Sequence, residues 1–411
     1  MRFFTVLAAF ATALPAAAQT ITITTPERTH PASAVEIKEL MGELVVEIES
    51  GGKKMSLKCM DVVDMSMAPL AVSRSPGATD VQLVLWTGDS VFGTLLDPNP
   101  AKEGVNLQSA SLGETVFGFD QVESVRFLAN RGMWPRRRPD DVKTDLVITK
   151  SQDMRSGTLV SVGKAGVVYK SKVLRGKEVT VKPEDAAIVY TFEGGKQMPD
   201  SPKTLFAIVQ MTDGTALQGT ITELKGGALT FTDLYGNVRK VGAGSISGLY
   251  FKNGRVMYLS DLAGDSVRAV ENANYIRDPA KTHPSDKAFP WQRDRNVKWG
   301  KLSIRDQEFR KGIGVHSKSE LTFDVAGAYA KFEAMVGIDD CARDAECGSV
   351  VFAVLADGRK IWDSGPVTWR DRAKSVSVPI AGAQKLTLLV DWGDDFESGD
   401  HADWALARVI R

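Results

Sequence analysis

Apolar and polar residues alternate in short runs along this chain, the two-residue period of a half-buried strand, and no long stretch shows a helical period. Val81, Leu83 and Leu85 form one such run, Gly88-Asp89 marks a turn, and Phe92-Gly93-Thr94-Leu95 begins a second strand. The same order returns in Leu146 to Thr149, Gln152-Asp153 and Ser156-Gly157-Thr158-Leu159. It returns again in Phe206 to Val209, Asp213-Gly214 and Gln218-Gly219-Thr220-Ile221. Each copy is expected to close with a short apolar strand ending in Phe127, Phe192 or Phe251. A period of about 60 residues suits a small self-contained fold and is longer than most solenoid repeats. The glycine before each threonine predicts a bend or bulge in the second strand, at a point where a side chain would collide.

This reading places β repeats at residues 81–130, 145–192 and 204–252, with a degenerate earlier copy at 33–67 carrying Val45 to Ile48 and Met55 to Leu57 as strands. A small five-stranded barrel whose second strand folds over itself fits the pattern. The glycine and turn positions loosely resemble Sm-like and SH3-like barrels. Asn130 to Thr144 and Glu193 to Pro202, rich in Pro, Gly and charge, read as linkers. The repeats carry few aromatics and no clustered His or Cys. They read either as a surface for envelope protein partners or as a spacer.

Beyond Phe289 the pattern changes to longer strands. The runs Glu320 to Val325, Lys331 to Ile338, Ser349 to Leu355, Ser375 to Ile380, Lys385 to Trp392 and Asp403 to Ile410 predict an antiparallel β-sandwich or jelly roll. Asp357-Gly358 is a two-residue hairpin signal. The fold class expected for the whole chain is therefore all-β: tandem small barrel-like repeats followed by a C-terminal sandwich over residues 286–411.

Four blocks of this last third occur in a telling order: Lys311-Gly312-Ile313-Gly314-Val315-His316-Ser317, Val336-Gly337-Ile338-Asp339-Asp340, Phe352 to Gly358, and Asp400-His401-Ala402-Asp403-Trp404-Ala405-Leu406-Ala407-Arg408. Together they resemble the NPCBM family of carbohydrate-binding modules, found on secreted bacterial glycosidases and surface proteins. The resemblance implies a galactose-binding-like sandwich and a glycan or polysaccharide ligand. It also implies a module that usually accompanies a catalytic domain, and no large catalytic domain is evident here.

Sugar recognition requires a flat apolar surface for the C–H face of a pyranose and a few fixed polar groups for its hydroxyls. The last third holds Trp291, Trp299, Trp362, Trp369, Trp392 and Trp404, six of the eight tryptophans. Trp404, inside the terminal strand, reads as core. Trp369 and Trp392 lie beside polar turns (Arg370-Asp371 and Gly393-Asp394) and read as stacking candidates. His316, His401, Asp340 and Arg370 complete the expected carbohydrate-binding set. Either histidine serves equally well as a hydroxyl partner or as a loop tether. The acidic run through Asp394, Asp395 and Asp400 has the ligand chemistry for a structural calcium, without EF-hand spacing, and reads equally as a solvated turn.

The start of the chain has the form of an export signal over residues 1–18: Arg2, an apolar core from Phe3 to Leu14, and Ala16-Ala17-Ala18 with cleavage expected between Ala18 and Gln19. A secreted, periplasmic or cell-surface location follows. In such an oxidising compartment Cys341 and Cys347 read as a local disulfide, while Cys59 reads as a buried hydrophobe. Charges balance at 51 against 51, so no global field recruits nucleic acid or acidic lipid, and Arg136-Arg137-Arg138 between prolines reads as a solvated linker. No HExxH, G-x-S-x-G or P-loop is present, and only four histidines occur. The expectation is an exported, non-catalytic carbohydrate-binding protein. The alternative is a structural or adhesive envelope protein whose sandwich and repeats bind other proteins.

Overall fold

A computed structural model of the chain describes residues 21–26, 28–67, 75–135, 139, 143–192, 194, 196–200, 202–262, 266–271, 289–393 and 398–411. The expected signal segment with its Ala18–Gln19 cleavage point, the triple-arginine cluster, and Asp394 and Asp395 lie outside the described residues. The structure is all-β apart from short 3-10 turns. It divides into two compact units, one ending at Lys252 and one running from Asn253 to Arg411. Among the described residues no helix is long and apolar enough to cross a membrane.

The first unit is built from the repeat. In the second copy the strands are Asp145–Thr149, Met154–Gly163, Gly166–Ser171, Glu178–Val181 and Ala186–Tyr190. The first strand pairs with both the second and the fifth, which curls the five strands over one core. The copies Asp80–Phe127 and Phe206–Lys252 follow the same plan. Phe192 departs from expectation. The position equivalent to Phe127 and Phe251 is Thr191, buried and donating its hydroxyl to the Val122 carbonyl, whereas Phe192 lies one residue further on and is exposed. The earliest copy also starts upstream of residue 33. Its first strand is Ile21–Thr24, paired with Thr29–Ala32 and with Asp64–Ser66 in the same first-to-second and first-to-fifth pattern. Fifth strands then pair antiparallel across copies, Ser124–Arg126 with Ile188–Tyr190, and Asp64–Ser66 with Gly248–Tyr250.

The glycines account for the curvature. A Cβ on Gly157 would lie 2.2 Å from the Lys170 carbonyl oxygen, one on Gly219 2.4 Å from that of Thr232, and one on Gly93 2.7 Å from that of Gln108. In each case the second strand passes directly over the backbone of the third, and only hydrogen fits. Register shifts follow within a few residues, between Leu159 and Ser161 and between Ile221 and Glu223.

The second unit is a two-sheet antiparallel sandwich. One sheet runs Gln292–Arg293, Gly312–His316, His401–Ile410, Lys331–Ile338 and Lys374–Pro379, with Val256–Tyr258 also on the His401–Ile410 strand. The other runs Val267–Glu271, Ser319–Asp324, Lys385–Trp392, Ser349–Ala356 and Arg359–Thr368. The unit therefore begins well before residue 286. Val256–Tyr258 extends the edge of the terminal strand, and the Lys311 ammonium reaches Asp261 (2.7 Å) and also Asp294, which pins the leading segment to the sandwich. Arg359–Thr368 is the strand that follows the Asp357-Gly358 hairpin turn, and it runs through Gly365-Pro366. Among the described residues it pairs with Ser349–Ala356 alone, as an edge strand where a missing N–H is tolerated. Trp404 is fully buried, with Phe352 edge-on to it at 5.1 Å, at the centre of the core.

Gly157→Ala is expected to destabilise the first unit by about 1–3 kcal/mol, measured by urea denaturation. An unchanged midpoint would show that the close strand crossing at this glycine is not required.

Candidate functional site

The strand ends converge on one pole of the sandwich. The strand Gly312–His316 ends opposite the start of His401–Ile410, with His316 paired to His401, while Ile338 pairs with Ala402. In the other sheet Ser319 pairs with Val390, Val350 with Trp392 and Ser349 with Thr368. Asp400 ties the two sheets together here. It is fully buried and accepts the Ser349 N–H at 2.9 Å and the Ser317 hydroxyl. Gly393 N–H also donates to the Ser349 carbonyl. His316, His401, Trp369, Trp392 and Asp400 therefore gather at this pole although they are spread over some eighty-five positions of sequence.

Phe289 packs against both histidines, with ring centroids 5.1 Å from His316 and 4.7 Å from His401. The two imidazoles are 5.2 Å apart. His316 Nδ1 contacts the Ser317 carbonyl oxygen at 2.6 Å, and since a carbonyl only accepts, this nitrogen carries the proton. His401 is buried. Burial, then the neighbouring His316 and the Lys298 ammonium, push its pKa down to about 4, so the ring is neutral at ordinary pH. Its Nδ1 is buried and has no hydrogen-bond partner among the described residues.

Beneath the rings lies an acidic knot. Asp339 is buried, and its Oδ1 accepts from Asn296 Nδ2 (2.9 Å) and Cys341 N (2.8 Å), its Oδ2 from Ser303 N (2.9 Å). Asp403 is completely buried. Burial first, and then Asp339 beside it, raise its carboxyl well above the usual range, and neither of its oxygens has a hydrogen-bond partner among the described residues. Asn296 in turn closes the 296–300 turn through the N–H groups of Lys298 and Gly300. Lys298 Nζ donates to the Cys341 carbonyl at 2.9 Å. That turn presents Trp299, which is 61% exposed.

The remaining expected site residues have fixed structural neighbours. Asp340 accepts from Ser303 Oγ, Arg305 N, Asp306 N and Arg343, so its carboxylate secures the 303–306 turn. Trp369 is half-buried with the Arg370 guanidinium 4.8 Å from its ring centre, and Lys318 stands 5.7 Å from Trp392. One face of each of these two rings is thus occupied by a cation. Trp299 is the exposed aromatic that sequence reasoning passed over. Its signal was the same as that of the other two, a tryptophan beside a polar turn. Among the described residues no group of three His, Cys, Asp or Glu is placed to hold a metal ion. The expected Cys341–Cys347 bridge is not formed, and both thiols are free. Burial first, and then Asp339 beside it, raise the Cys341 thiol, whereas Cys347 Sγ lies against Gly399. The two sulfurs are drawn to different neighbours.

The fold and the pole define a β-sandwich recognition module. Residues 272–410, about a third of the chain, match the NPCBM/NEW2 domain. "Alpha-1,3-galactosidase B" of Akkermansia muciniphila is 36% identical over 115 residues, which is 27% of this chain and 14% of that protein. "Putative endo-alpha-N-acetylgalactosaminidase" of Renibacterium salmoninarum is 30% identical over 109 residues, 26% of this chain and 7% of that protein. The chain thus spans only a small part of the length of these relatives. Among solved structures, CBM51 from Clostridium perfringens GH95 in complex with methyl-galactose is 28% identical, with 38% of this chain and 99% of that chain covered and a TM-score of 0.31.

The proton on Asp403 gives a pH signature. The unfolded chain gives up this proton above about pH 4, while the folded chain keeps it, so folding stability falls as pH rises from there towards the raised folded value. Asp403→Asn removes that dependence. The stability difference, variant minus wild type, is expected to be larger at pH 8 than at pH 5 in thermal melts. A difference independent of pH would mean that Asp403 is ionised in the fold.

Proposed function

We propose that the chain is an exported, non-catalytic carbohydrate-binding protein and that its glycan docks at the pole formed by Phe289, Trp299, His316 and His401. The observation that carries this reading is the family match over residues 272–410. The geometry supports it at the level of chemistry. A hydroxyl needs a partner of fixed direction in a desolvated place, and His401 offers a neutral, buried Nδ1 without a partner among the described residues. A pyranose needs a flat apolar face, and Trp299 presents one in solvent, on a turn locked by Asn296 and Lys298. Trp369 and Trp392, each with a cation over one face, are better suited to walls of the site than to its stacking platform. Four carboxyl groups near the pole are already engaged or enclosed among the described residues. Asp339, Asp340 and Asp400 are committed to backbone and side-chain donors, and Asp403 is sealed beneath them.

The test is calorimetric titration of the full chain with galactose- and glucose-configured saccharides. Saturable binding is expected, and Trp299→Ala is expected to weaken it about tenfold while leaving the thermal midpoint unchanged. His401→Phe keeps the ring packing against Phe289 and removes the polar nitrogen, and should weaken binding further. Silence across the panel from a folded chain would favour the reading in which the sandwich binds proteins. Binding that both variants retain would place the sugar elsewhere on the module.

A further inference from the structure

The second repeat differs from its neighbours at one turn, between its third and fourth strands. In the first repeat the equivalent turn docks on another copy: Ser109 Oγ and Ser111 N both donate to Asp213. In the third repeat Tyr235 does the same, its hydroxyl donating to the Gln121 carbonyl. The turn between Gly166–Ser171 and Glu178–Val181 is longer and makes no such contact among the described residues. Its backbone is satisfied internally. Ser171 N donates to Lys177 O (2.9 Å), Gly176 N to Ser171 O (2.8 Å) and Lys177 N to Leu174 O (3.2 Å), while Lys172 N bonds to Ser156 O (3.1 Å) on the adjoining strand. Ser171 Oγ also accepts from Leu174 N (3.3 Å), so the turn is pre-formed without using the side chains of residues 172–177.

Those side chains are Val173, 82% exposed, and Leu174, 53% exposed. The bond from Lys172 to Ser156 brings the start of Met154–Gly163 to the same corner, where Met154 is 65% exposed. Around this apolar tip stand Arg155, Lys170, Lys172, Arg175 and Lys177. The nearby acids are Asp153, 3.6 Å from Arg155, Asp185, which Arg155 also influences while it pairs with Lys150, and Glu178, opposite Lys170 in the hairpin register. Lys172, Arg175 and Lys177 form no ion pair among the described residues. A chain with balanced charge thus concentrates positive charge around three exposed apolar side chains at one pre-formed corner.

We propose that this hairpin tip is a docking point for an anionic lipid bilayer, with Val173, Leu174 and Met154 entering the interface and the surrounding cations meeting the headgroups. Charge complementarity alone would suit any polyanion. The exposed apolar side chains favour a surface that has an apolar interior to receive them. The proposal is independent of the sugar-binding reading, which concerns the other unit.

The experiment is co-sedimentation of the full chain with vesicles of phosphatidylcholine alone and of phosphatidylcholine mixed with phosphatidylglycerol. Binding is expected to the anionic vesicles and to decrease with salt. Val173→Ser combined with Leu174→Ser is expected to lower partitioning about tenfold, and Lys172→Gln or Arg175→Gln about fivefold each. These positions are exposed, so the variants should melt with the parent. A parallel arm uses a soluble anionic polysaccharide. No preference for anionic vesicles, unchanged binding by the double serine variant, or binding to the polysaccharide without binding to vesicles would each overturn the proposal.

Discussion

Much of the second unit depends on one buried carboxylate. Asp339 stands at the end of a core strand, and its two oxygens collect donors from the Asn296 turn, the Ser303 segment and its own 3-10 turn at Cys341. A polar group this deeply buried is tolerable only when it is hydrogen-bonded. That requirement compels three separate segments to meet at one place. Asp403 lies beside it on the terminal strand, fully buried, and burial raises its carboxyl well above the usual range. The Trp299 turn and the imidazole of His401 are positioned as consequences of this knot.

Asp400 supplies a similar constraint between the two sheets, accepting from Ser317 and Ser349 and so fixing where the His316 strand hands over to the second sheet. The polar groups at this pole divide accordingly. Most are consumed in holding loops, and the nitrogen of His401 is left without a partner among the described residues. A site on a sandwich must be rigid without being saturated, and this division meets both needs.

The first unit answers a different problem. Each copy must bend a strand sharply enough for five short strands to enclose a core, and glycine at the crossing is the solution in three copies. The copies then diverge in their turns. The turns at Ser109 and Tyr235 secure neighbouring copies, whereas the turn at Val173 projects. One backbone plan thereby supports both assembly within the unit and a surface directed outward.

Alternation and punctuation were enough to read the all-β class, the repeat with its glycine bends, and most sandwich strands. Lys331–Ile338 and Lys385–Trp392 fall at the residues the pattern indicated. The reason is physical: strand periodicity and the steric demand for glycine are local properties, written wherever they act. The block order also made the resemblance to the NPCBM domain legible, over the region where the family model matches. The partnership of each polar side chain was not legible, because it is a long-range matter. Asp340 and Asp400 read as ligands in the sequence, and in the fold each accepts hydrogen bonds that secure neighbouring segments. Trp369 and Trp392 looked open and each carries a cation, and Trp299, with the same local signature, is the one left in solvent. Cys341 and Cys347 lie close in sequence, yet each thiol meets a different neighbour. Whether a carboxylate, an indole or a thiol is free depends on what the fold brings against it, and that is decided only when distant strands close into sheets.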